Sequence, residues 1–160
     1  MKTAWLFTVV ALLTFGGLYA FSAYDGVPVF PVFSVIMNSM IMLKLIEMLF
    51  ALLLLLILLI GAIQLGGAKD GRPSGFLTYA AWLTAVLGVC AVLYRWQVSQ
   101  IIAERAHVKS PMILMIGMFE GFVAFGIAIV VAAIAAWINV AIVAKGRKAA
   151  ARISRGEVGP

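Results

Sequence analysis

Lys44, Glu47 and Glu120 are ionisable side chains set inside long apolar stretches, and they are the residues best placed to do chemistry in this chain. A charge in hydrocarbon is costly unless it is paired or wet, so such residues are functional candidates by default. Lys44 and Glu47 are three residues apart, which puts them on one helix face where they can neutralise each other. Near the end of its stretch, Lys44 can also extend its ammonium to the headgroups. Two readings follow: an interfacial ion pair, or a residue lining a polar path between helices. Glu120 sits among Gly117, Gly121, Ala124, Ala128, Ala132 and Ala135/Ala136, small residues that recur every three or four positions. Small residues on one face let helices approach closely in lipid. Glu120 is three residues after Gly117 and four before Ala124, so its carboxyl is expected in a helix–helix interface. There it acts either as a structural hydrogen-bond donor fixing a subunit interface or as a carboxyl that takes part in ion passage.

Other chemistries lack their parts. His107 is the only histidine, which excludes bis-histidine haem ligation within the chain and argues against zinc. No Gly-rich phosphate loop, cysteine pair or Ser/His/Asp set occurs, and Cys90 stands alone in an apolar run. The methionines at 37–48 and 112–118 read as adaptable packing surface. No cofactor, no metal and no enzymatic activity are expected.

These residues must be positioned by membrane-spanning helices. Of 160 residues, 65% are hydrophobic and 11% charged, against about 25% charged in soluble domains. The mean hydropathy is +1.15. A soluble fold is excluded, and the uncharged runs are continuous instead of alternating as barrel strands would. The fold class is therefore all-α, a polytopic membrane protein with four transmembrane helices, expected at about 5–24, 40–66, 76–95 and 111–144. The first run carries a possible cleavage site at Ala20-Phe21-Ser22, but it is longer than a usual signal-peptide core and reads as a retained helix. Pro28 and Pro31 mark an extended entry to the second. A helix from Val32 to Gly66 would reach about 52 Å, so either it projects from the membrane or the Asn38-Ser39 region is broken. The polar turn 68–75 leads to the third span. Residues 95–109 read as a short interfacial helix through Val98, Ile101, Ile102 and Arg105. Ser110-Pro111 is a helix start signal, and 145–160 is a basic tail.

The net charge of +6 belongs to the edges of these runs, so no nucleic acid is expected. Lys2, Lys69, Arg72, Lys145, Arg147, Lys148, Arg152 and Arg155 fall on one side; Arg95, Arg105 and Lys109 fall on the other. By the positive-inside bias both termini are expected in the cytoplasm. Trp5, Tyr94, Trp96 and Trp137 lie near span ends, as an interfacial aromatic belt requires. Thr78 and Thr84 can bond their own backbone or a neighbouring helix.

Leu83-Thr84-Ala85-Val86-Leu87-Gly88, and then Met118-Phe119-Glu120-Gly121-Phe122-Val123-Ala124 opening a helix that closes at Trp137-Ile138-Asn139, resemble the paired final spans of the MotA/TolQ/ExbB family. Its members are channel subunits of proton-driven motors. The resemblance covers about residues 80–140. It implies that Glu120 and Thr84 match the family's Glu and Thr, and that several copies ring a partner's helix carrying a protonatable Asp. The family's large cytoplasmic region is reduced here to the 68–75 turn, and Phe125 and Gly126 stand where its last helix has an internal Pro and a pore-facing Thr.

The expected function is a non-enzymatic integral inner-membrane subunit of an oligomeric complex, ion-conducting or energy-transducing. The alternatives are an accessory or scaffold subunit of a larger transporter, secretion or respiratory complex, and a small stand-alone transporter. The expected partners are the lipid bilayer, further copies of the chain and other membrane subunits.

Overall fold

The computed structural model describes residues 1–24, 41–67, 72–105 and 111–154, and these residues form four helices. They are α1 (Lys2–Tyr24), α2 (Ile41–Gly67), α3 (Gly75–Arg105) and α4 (Pro111–Ser154). All four are long and apolar enough to cross a membrane. Two outlast the expected spans. The segment from Arg95 to Arg105 is no separate interfacial helix but the last turns of α3, which runs for 31 residues without a break. Likewise α4 continues through the basic residues to Ser154, for 44 residues. At 1.5 Å per residue α4 measures about 66 Å, twice the thickness of the hydrocarbon core. Neither extension contains a proline or a glycine pair to stop it, so helical propensity carries it into the polar region. The Asn38-Ser39 break, the two prolines before it, the 68–71 turn, His107 and residues 155–160 lie outside the described residues.

The core lies around α4, which packs against all three other helices. Small residues determine how. A Cβ added to Gly117 would run into the Ser99 hydroxyl, one on Gly121 would lie 3.1 Å from the Val92 Cα, and one on Gly88 would lie 2.7 Å from the Ala128 Cβ. The numbers fall on α3 as they rise on α4, so these two helices run antiparallel at close range. Ala91 and Ala124, both fully buried, continue the seam. Gly126 receives the Phe15 ring of α1, and Gly61 of α2 receives Ile138 of α4. Outward-facing side chains, such as Leu12, Leu13, Leu55, Leu59 and Leu93, are more than half exposed, as lipid-facing residues are.

Polar side chains fasten the ends of the helices. Asn139 of α4 accepts a bond from the Ser74 backbone N–H at 2.7 Å and donates to the Thr78 hydroxyl at 2.8 Å. The Ser74 hydroxyl accepts from the Leu77 N–H, the N-cap bond that starts α3. Lys145 donates to the Leu65 carbonyl at 2.5 Å, satisfying one of the carbonyls left open at the end of α2. Trp137 donates its indole N–H to Thr8 and meets Trp5 edge to face at 5.5 Å, so this part of the aromatic belt also joins α1 to α4.

Candidate functional site

The seam between α3 and α4 is built of alanine and glycine until its last turns, where it must accommodate two charges. Glu120 faces it from α4, as its place between Gly117 and Ala124 requires. Opposite it is Arg95, whose guanidinium Nη2 forms an ion pair with Glu120 Oε2. Arg95 is 5% exposed. Room for it comes from Gly121, where an added Cβ would lie 3.2 Å from the Arg95 Cβ. One turn further, Ser99 donates its hydroxyl to the Arg95 carbonyl at 2.8 Å and fits over Gly117.

Arg95 is the residue of this candidate site that sequence reasoning misplaced. As the first charge after an apolar run, it reads as the start of an interfacial helix and as one of the basic residues that set orientation. The contrary signal was available on its own helix: Ala81, Thr84, Gly88, Ala91, Arg95 and Ser99 recur every three or four positions, and all are buried. Arg95 belongs to that stripe, and the stripe faces α4.

The other anticipated residues divide. Gly117, Gly121, Ala124 and Ala128 are all buried, and α3 of the same chain covers them. The small-residue face is thus occupied within the chain and not left open for a second subunit. Thr84 is fully buried, but its hydroxyl donates to the Ala80 carbonyl at 2.6 Å. It lies three turns from Arg95, about 16 Å along the helix, so Thr84 and Glu120 do not meet. Lys44 is exposed and Glu47 half-buried at the start of α2. Ile46 packs on Ala91 and Ala124, which sets this part of α2 against the layer just below the Arg95–Glu120 pair.

The electrostatics are asymmetric. Glu120 has its cation, but the Nε and Nη1 groups of Arg95 are buried with no hydrogen-bond partner among the described residues. A buried donor left open costs about 1–3 kcal/mol, and more when the group is charged. Depth moderates this. From Gly75 to Arg95 is about 30 Å of helix, the full hydrocarbon thickness, so the pair lies at the membrane margin opposite the basic end. Between it and the Asn139–Thr78 cluster, the α3–α4 seam offers only Thr84 as a polar side chain. The described residues contain no group of three metal-ligating side chains. The site can therefore hold a fixed charge pair and offer two further N–H directions to an acceptor. No protein family, curated protein or solved structure matches the chain.

Proposed function

We propose that the chain is a non-enzymatic subunit of an oligomeric complex in the inner membrane, both termini cytoplasmic, and that the Arg95–Glu120 pair takes part in ion movement where subunits meet. One observation carries this reading: a guanidinium 5% exposed, bound to Glu120 through one nitrogen, with Nε and Nη1 unpartnered among the described residues. A charge so placed calls for an acceptor beyond the described residues, and this reading assigns it to a neighbouring subunit's carboxylate or carbonyl or to water drawn in with an ion. The location fits the edge of a subunit better than a conduit through one, because the seam below the pair is filled by alanine and glycine. The likeness of residues 80–140 to the MotA/TolQ/ExbB channel subunits points the same way, with Glu120 at the matching position. Setting Arg95 apart as a buried residue leaves Lys44, Arg105 and Lys109 against eight basic residues at the other end, which supports cytoplasmic termini.

The test is Glu120→Gln in the intact assembly. Ion flux, or the motion or transport that depends on it, falls about a hundredfold or more, the scale for losing one positioned acid–base group, while the copy number stays the same. Unchanged flux with unchanged assembly overturns the reading.

A second reading, an accessory or scaffold subunit, is favoured by the internal neutrality of the pair and the closely packed seam beneath it. It predicts that Glu120→Gln loosens the complex without altering flux in whatever remains assembled.

A further inference from the structure

At the basic end of the bundle, α1 and α3 stand apart and leave a cleft of about 410 Å³ whose floor is α4. Its lining is graded along the helix axes. Toward the membrane interior it is apolar: Phe7 of α1 and Ala81 and Trp82 of α3, with the Phe7 and Trp82 rings edge to face at 5.3 Å. Toward the end of the bundle it becomes polar, with Thr3, Pro73 and, two turns beyond Asn139, Arg147. The surroundings share one sign. Lys2, Arg72, Lys145, Arg147, Lys148 and Arg152 are all exposed here, and the described acidic residues Glu47, Glu104 and Glu120 lie at the opposite end. In sequence, Asp70 and Glu157 are the acids that adjoin this end.

We propose that this cleft binds an anionic phospholipid, its phosphate on Arg147 and the upper part of an acyl chain against the exposed Trp82 and the half-buried Val140 and Val143. Basic pockets between transmembrane helices take acidic headgroups, and a Lys or Arg set directly against the headgroup favours an anionic lipid about fivefold. The apolar part of the lining selects a lipid over a free phosphate, which would use the cationic rim and leave Trp82, Val140 and Val143 uncovered. The exposed basic residues around the rim draw in acidic lipid generally. Arg147 alone among them lines the cleft and gives a defined position to the phosphate. The site is independent of the Arg95–Glu120 pair, which lies at the other membrane margin.

The experiment is native mass spectrometry of the purified assembly in neutral detergent, titrated with phosphatidylglycerol or phosphatidylcholine. Phosphatidylglycerol is retained about fivefold better, and Arg147→Gln removes most of that preference. Lys148→Gln, equally exposed but outside the cleft, changes it less than about twofold. Millimolar inorganic phosphate does not displace the lipid. Equal retention of the two lipids overturns the proposal. So does an equal loss in the two variants, which signifies diffuse basic attraction, and so does displacement by phosphate, which signifies a simple anion site. Arg147 is exposed and outside the packed core, so its substitution leaves the fold available for measurement.

Discussion

Removing one member of a buried ion pair harms a protein more than replacing both, because the survivor keeps its desolvation cost and loses its compensation. Arg95→Leu is therefore expected to destabilise the bundle by about 3–5 kcal/mol, whereas Arg95→Met combined with Glu120→Leu stays near the parent or above it. Denaturant titration in mixed micelles measures both; a double variant as unstable as the single one contradicts the assignment. Asn139 presents a milder case. Hydrogen bonds between membrane helices average about 0.6 kcal/mol and reach about 1.7, since the unfolded chain in lipid also finds partners. Asn139→Leu removes bonds to both Ser74 and Thr78, so a loss of about 1–2 kcal/mol is expected by the same titration. At this scale the sequence revealed Glu120 and its face, because a carboxyl among small residues at helical spacing has few other places to go. Arg95 was obscured by its position. A basic residue at the edge of an apolar run has an orienting role to explain it, and only the stripe on its own helix shows otherwise.

At the scale of the element, glycine reports which helix faces touch. Gly88→Ala places a methyl 2.7 Å from the Ala128 Cβ, and Gly117→Ala drives one into the Ser99 hydroxyl. Overpacking of this kind costs about 1–3 kcal/mol. Ala128→Gly should restore stability to Gly88→Ala, since it removes the opposing atom. Failure of that rescue, read from the melting of the double variant, would show that α3 and α4 do not meet at these residues. Gly16, by contrast, has nothing within 4 Å of an added Cβ. Gly16→Ala should leave stability unchanged or raise it by up to about 1 kcal/mol through helix propensity. The four helices were legible as elements because each apolar run is long and uncharged. Their ends were less so: Val98, Ile101 and Ile102 kept a helical rhythm that fits a new interfacial helix as well as the continuation of α3, and nothing in composition separates the two.

The whole molecule is a bundle centred on α4, an arrangement that the sequence reveals least. Helices apolar all round have no polar face to indicate their orientation, so the hub emerges only from where glycine and alanine let neighbours in. With the small-residue face of α4 filled by α3, the bundle closes its best packing surface internally. What it leaves open is electrostatic: the Nε and Nη1 donors of Arg95 at one margin and the basic cleft at the other. The central proposal, that a neighbouring subunit completes the Arg95 site, is tested most directly by the native mass of the complex extracted from its own membrane. The account predicts a species larger than one chain, containing several copies or further subunits, that shifts toward the lone chain in Arg95→Gln. A stable lone chain, with the parent and the variant alike, would contradict it.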